Sequence, residues 1–217
     1  MIKAVQIEKS YNNEKVLKSI DLTVEEGEFL SIMGESGSGK STLISILGGF
    51  LQPDCGKVFW KGQDISKFSQ NQMAEMRCST VGFVFQSFKL ISTLTAKDNI
   101  LLPVTLGKKY NEQTQKYIDE LTKELNLTEL LDKYPDQLSG GQCQRVAIVR
   151  ALAYKPKLVI LDEPTGALDS VMEQKVMGVL SRINRELKTT IIQVTHSQNV
   201  SKVGSRIIVL KDGQIQQ

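Results

Sequence analysis

The hydrophobic and polar positions divide the chain into an alternating first quarter, a helical middle, and a last third where short apolar runs separate helices. Ile2, Ala4 and Ile7, then Leu17, Ile20, Leu22 and Val24 within Val16 to Val24, predict two strands joined at the polar turn Asn12-Asn13-Glu14. Glu25-Glu26-Gly27-Glu28 turns into Phe29, Leu30, Ile32 and Met33, a short buried strand. Leu43, Ile44, Ile46 and Leu47 then recur at helical spacing, and Gly48-Gly49 with Pro53 ends that helix. Lys57 to Trp60 reads as a strand closed by a Gly62-Gln63-Asp64 turn, and Val81 to Phe85 as another ending at Gln86.

From Ser87 to Tyr154 no strand signal remains. Tyr117, Ile118, Leu121 and Leu125 mark an amphipathic helix over 112–126, and Leu130 and Leu131 a short one before Pro135. Val146, Ile148, Val149 and Leu152 mark a third, capped by Ser139. The leading segment, Phe88 to Pro103, is apolar but interrupted, and reads either as core packing or as a groove for a partner helix. Leu158 to Leu161 is apolar throughout, as befits a parallel strand buried on both faces. A helix follows over 171–187, with Met172, Val176, Val179, Leu180, Ile183 and Leu187 inward. Next come a strand over 189–195 and a hairpin, Ile207 to Leu210 and Gln214-Ile215, about Asp212-Gly213. The chain ends soon after, leaving an expectation of no regulatory domain. The alternation predicts an α/β fold with an N-terminal antiparallel β region and an inserted helical subdomain. Residues 1–86 and 156–217 form the expected core, and 87–155 the insertion.

The chemistry begins between the strand at Phe29 and the helix at Leu43. Gly34-Glu35-Ser36-Gly37-Ser38-Gly39-Lys40-Ser41 fits G-x-x-x-x-G-K-[ST] at every fixed position, in the strand–helix context that confirms it. Its glycines let backbone N–H groups converge, the helix start adds positive potential, and Lys40 adds a full charge toward β- and γ-phosphates. Ser41 offers Mg²⁺ a hydroxyl, and Thr42 continues the loop into the helix. The motif makes the core a P-loop NTPase of RecA-like type. Ser139-Gly140-Gly141-Gln142 opens another helix with exposed N–H groups, a second anion site far along the chain. Asp162 and Glu163 end the apolar strand, at the edge where such sheets hold ligands. Strand alternation points them opposite ways, so Asp162 is assigned to the Mg²⁺ shell and Glu163 to general base. Three further residues carry two readings each. Tyr11 is rim packing or a base-stacking aromatic, Gln86 a solvated cap or a ligand contact, and His196 a structural histidine or a participant.

Composition narrows the surroundings. The chain has 217 residues, 41% hydrophobic and 24% charged, with a formal charge of +3. That charge is small and dispersed, which argues against a nucleic-acid surface. No apolar run approaches the ~18 residues that span a bilayer, and the N-terminus lacks a signal peptide's apolar block. Cys55, Cys78 and Cys143 are scattered and unpaired in sequence, which suits a reducing cytosol and offers no metal site.

With these pieces placed, essentially the whole chain resembles the ATP-binding subunit of an ABC transporter. The family's motif order is matched by an aromatic A-loop at Tyr11, Walker A at Gly34 to Ser41, a Q-loop at Gln86 and the signature Leu138 to Gln142. Walker B at Leu158 to Asp162, the catalytic Glu163, a D-loop at Ala167 to Asp169 and the switch His196 complete it. The stretches V-G-F-V-F-Q-S-F-K-L-I-S-T-L-T-A-K-D-N-I-L-L-P and P-T-G-A-L-D-S look most like the lipoprotein-release, macrolide-efflux and antimicrobial-peptide-resistance group. The resemblance implies an ATP-dependent, head-to-tail homodimer in which Ser139 to Gln142 reach the nucleotide of the other subunit. It further implies Mg²⁺ held by Ser41, Gln86 and Asp162, His196 at the γ-phosphate, and Asp169 near the dimer interface. It places the chain at the cytoplasmic face of a bacterial membrane, touching the bilayer only through a separate transmembrane permease subunit. Cys143 and Cys55 depart from the family's usual residues without touching a fixed motif position. Two functions share this chemistry: powering export or extraction of a peptide-like, lipophilic or antimicrobial substrate, and transmitting a signal through the membrane partner. A chromosome-maintenance ATPase with the same signature would carry long heptad insertions, which the helical block lacks.

Overall fold

In a computed structural model, which describes residues 1–216, the chain forms two sheets with a helix core between them, joined by Met73 of a polar helix, and the helices over 96–187 on the far side of the larger sheet. The first sheet is antiparallel, ordered β2-β1-β4-β5, from β1 (Ile2–Tyr11), β2 (Glu14–Val24), β4 (Cys55–Trp60) and β5 (Gln63–Asp64). The second is ordered β10-β9-β3-β8-β7-β6. Its strands β3 (Phe29–Met33), β6 (Val81–Val84), β7 (Leu158–Asp162), β8 (Thr190–Val194) and β9 (Arg206–Lys211) run parallel, and only β10 (Gln214–Gln216) is antiparallel.

The pleat of β7 explains the layering. Leu158 and Ile160 face the core that includes helix α1 (Lys40–Leu47) and the antiparallel sheet, whereas Val159 and Leu161 face the other helices. That second core joins α3 (Ala96–Leu106), α4 (Glu112–Glu124), α5 (Gly140–Leu152) and α6 (Ser170–Leu187) to the sheet. Trp60 secures α1 by donating its indole N–H to the Leu47 carbonyl at 3.0 Å, so a helix-end acceptor is satisfied inside the core.

Several sequence expectations are corrected. Helix α2 (Gln70–Thr80) was not anticipated, because it is polar and buries only Met73; its Ser69–Gln72 capping box was its legible signal. The apolar leading segment of the helical block contains α3, which carries Pro103 within it. The helix expected over 112–126 ends at Glu124, and the short one near Leu131 is a 3-10 turn, Thr128–Leu130. The supposed Gly62-Gln63-Asp64 turn contains β5, paired with Phe59 and Trp60. Leu187, expected inward, is exposed, while Met177 is buried in its stead. The β9–β10 hairpin turns at Asp212-Gly213 with positive φ at both, as anticipated.

Candidate functional site

A cleft of about 250 Å³ opens where β3, β6, β7 and β8 end. Its walls bring together Tyr11, Ser36, Gly37, Gly39, Lys40, Ser41, Thr42, Gln86, Asp162, Glu163 and His196, all named from sequence.

The loop between β3 and α1 shapes one side. Gly39 caps α1 at φ 98°, and a β-carbon there would stand 2.8 Å from a Leu17 methyl, so β2 lies hard against the loop. At Gly37 (φ 80°) a β-carbon would meet no protein atom within 4 Å, so this turn of backbone is open toward the cleft. Gly34 and Glu35 belong to the loop but do not line this cleft; they line a neighbouring depression with Leu210 and with His196, which borders both. The Lys40 ammonium is buried and donates to the carbonyls of Gly34 at 2.9 Å and Glu35 at 2.6 Å. Burial lowers its pKa, and the carboxylates of Glu163 and Asp162 oppose that shift.

The Ser41 hydroxyl donates to Asp162 Oδ1 at 3.1 Å, which brings the two residues assigned to Mg²⁺ into contact although they are far apart in sequence. A serine oxygen and a carboxylate converging at a phosphate loop are a suitable hard-oxygen set for Mg²⁺. The open backbone at Gly37 and the poised Lys40 fit a triphosphate in the same way. Asp162 is buried, and loss of hydration raises its pKa against the pull of Ser41, Lys40 and His196.

Glu163 departs from simple strand alternation. Its φ is 51°, a left-handed conformation rare for a residue with a β-carbon, while its N–H donates to the Val194 carbonyl at 3.1 Å. The backbone therefore turns at Glu163, and its side chain joins Asp162 in the same cleft instead of facing the opposite way. His196 Nε2 stands 3.0 Å from Glu163 Oε1. That distance meets an ion pair's reach, yet Oε1 accepts no well-aligned hydrogen bond among the described residues. Burial, the largest influence, raises the Glu163 pKa; His196 works in the opposite direction.

The signature residues stand apart from the cleft. Ser139 and Gly140 are exposed at the start of α5, and none of Ser139, Gly140, Gly141 and Gln142 lines the cleft. Ser139 accepts from the Gln142 N–H at 3.3 Å while Gln142 Oε1 accepts from the Ser139 N–H at 2.8 Å. Gly141 packs on the loop before α6, where a β-carbon would meet the Ala167 carbonyl at 2.8 Å. Asp169 caps α6, its carboxylate accepting from the Met172 N–H at 2.9 Å. Val16 and Val194 complete the cleft wall and were missed; a valine in a strand gives no sequence signal of such a role.

A second, apolar depression of about 250 Å³ lies below Gln86, lined by Phe50, Phe83, Phe85, Leu102, Pro103 and Leu106 among others. Phe50 and Leu106 are well exposed within it. Phe88 and Leu90 instead pack against the helical core, so the apolar lining that the leading segment gives the groove comes from its later part, with Lys89 at the edge.

Fold and cleft define a nucleoside-triphosphate-binding cassette of the P-loop class. Residues 17–166 match the ABC transporter family, and the chain belongs to that family as an ABC-type ATPase. It is 41% identical to the bacitracin export ATP-binding protein BceA of Halalkalibacterium halodurans, across 99% of this chain and 87% of that protein. It is 43% identical to the ABC transporter ATP-binding protein MJ0796 of Methanocaldococcus jannaschii, across 100% of this chain and 95% of that one. The dimeric structure of MJ0796, a bacterial ABC transporter cassette, superposes with a TM-score of 0.94 at 42% identity, covering 100% and 97% of the two chains. A post-hydrolysis dimer of MJ0796 bound to ADP and Pi gives 0.93 at 40% identity, with the same coverage.

Proposed function

We propose that this chain hydrolyses ATP as a head-to-tail homodimer, at the cytoplasmic face of a bacterial membrane, to power a separate permease that exports or extracts a peptide-like or lipophilic compound. The observation that carries this reading is the split between the two anion sites. The phosphate loop, Asp162, Glu163 and His196 share one cleft, while the signature start stands outside it, with the Gly140 and Gly141 N–H groups left free of its capping box. A second copy turned head to tail would lay its Ser139 to Gln142 across the first copy's Gly34 to Ser41. The dimeric MJ0796 structures support, by likeness, the association of two copies. Peptide export draws on the name of BceA, a bacitracin export protein. Among the described residues no helix is long and apolar enough to cross a membrane, so membrane contact is assigned to the permease.

In this reading Tyr11 stacks on the base, and Lys40 exchanges its loop carbonyls for phosphate oxygens. Ser41 and Asp162, with Gln86, hold Mg²⁺, which supplies charge neutralisation at the phosphates when bound. Glu163 accepts a proton from the attacking water, and its raised pKa makes it a better base than an exposed glutamate. His196, beside Glu163, donates toward the γ-phosphate. The groove around Phe50 and Leu106 receives a helix of the permease. The division into a core, 1–86 with 156–217, and a helical subdomain, 87–155, supplies the two parts that ATP draws together.

The deciding variant is Glu163→Gln. Phosphate release by the purified chain should fall by about 100-fold or more. ATP binding should persist, and the chain with ATP should elute as a dimer. A hydrolysis rate equal to wild type would remove Glu163 from the base role.

A further inference from the structure

Among the polar clusters that the cleft chemistry does not use is one at Arg150. Arg150, near the end of α5, points its guanidinium at the segment that follows Gln86. Its Nη1 donates to the Lys89 carbonyl at 2.6 Å and its Nη2 to the Phe88 carbonyl at 2.7 Å. Among the described residues no carboxylate lies within ion-pair distance of it. A guanidinium that spends its fork on two successive carbonyls is a rigid brace, because its donors lie in one plane at fixed separation.

The braced carbonyls belong to unusual backbone. Phe88 and Lys89 have φ of 60° and 47°, two consecutive non-glycine residues in the left-handed region. Such a conformation persists where surroundings over-determine it. The same segment meets α5 again at its other end, where a β-carbon on Gly140 would touch the Phe88 ring at 3.8 Å. Helix α5 therefore holds the segment through Arg150, while the Phe88 ring lies beside Gly140, ten residues earlier in the same helix.

We propose that Arg150 is a positioning residue for ATP hydrolysis, fixing the backbone after Gln86 to the signature helix so that loop and helix move as one body. Any displacement of α5 toward a partner's nucleotide is then delivered to Gln86 at the cleft wall. Occupancy of the apolar groove, which Lys89 and Arg150 also line, reaches the signature by the same brace. The functional half of this inference rests on the ATPase reading above, while the brace itself is independent of it.

The test uses Arg150→Met and Arg150→Lys in the full chain, with two readouts. The first is limited trypsin digestion, comparing cleavage after Lys89 with cleavage after Lys108, an exposed turn at the far end of α3. Loss of the brace should raise that ratio about tenfold in Arg150→Met. Arg150→Lys, which keeps the charge but not the fork, should fall between Met and wild type. The second is steady-state hydrolysis: kcat should fall about tenfold or more, as misplacement of a site group allows, with KM for ATP within about twofold. A merely structural arginine would raise cleavage at both sites together and lower the active fraction without changing the ratio. An unchanged ratio, or kcat and KM moving together, overturns the proposal. Should Arg150→Met not fold, the ratio in Arg150→Lys decides alone. If wild type hydrolyses no ATP, the ATPase reading fails, while the cleavage ratio still judges the brace.

Discussion

Glu163 combines a left-handed backbone with a side chain whose charged form is disfavoured by burial. Both features cost stability, and both point the carboxylate into the cleft, as expected of strain retained at a working site. The consequence for pH follows from linkage. Its folded pKa lies above the ordinary 4.5, so within that interval the folded chain keeps a proton the unfolded chain has released. Stability contributed by this group is thus present below the ordinary value and is lost as pH rises through the folded one. Glu163→Gln removes the buried charge. The variant should melt about 2–4 °C above wild type near neutral pH, and the gap should close below pH 4.5. Scanning calorimetry across that range checks it, and a gap that widens in acid contradicts the sign.

At the level of elements, close packing of α5 on the sheet sets where the signature can stand. Gly82 in β6 faces the Ala151 carbonyl, and a β-carbon there would lie 2.3 Å from it. Gly82→Ala must push the signature helix outward, with an expected loss of about 1–3 kcal/mol. Gly178 in α6 is the counter-case, exposed and with nothing within 4 Å of a β-carbon. Gly178→Ala should stabilise by about 0.5–1 kcal/mol, because the helix gains propensity without a clash. Denaturant unfolding of both variants should give opposite signs. Sequence alone cannot tell these two glycines apart, since space at the β-carbon is a property of the neighbour.

For the whole molecule, the proposed division of the site between two copies would make activity depend on association. Hydrolysis per chain should rise with chain concentration and then saturate, whereas a complete single-chain site would give a flat line. The apolar groove makes a separate prediction. Leu106, 65% exposed and remote from the cleft chemistry, should tolerate Leu106→Glu with basal hydrolysis within about twofold of wild type. Capture of the permease should drop about tenfold or more, since a charge would be buried in an apolar interface. Equal loss of basal hydrolysis would count against a docking role for Leu106.

The sequence by itself determined the class of chemistry, because a phosphate cradle needs glycine, lysine and a hydroxyl at fixed short spacing and the chain carries them between a strand and a helix. It also determined the sheet, since wholly apolar runs such as Leu158 to Leu161 have no other place to be buried. Helix α2 stayed hidden because its burial is slight and its face polar. The tertiary structure alone decided that Ser41 meets Asp162, that a left-handed turn swings Glu163 to His196, and that Arg150 reaches the backbone after Gln86. Those contacts join residues distant along the chain, and only packing of the strands and helices that carry them brings such groups within hydrogen-bond range.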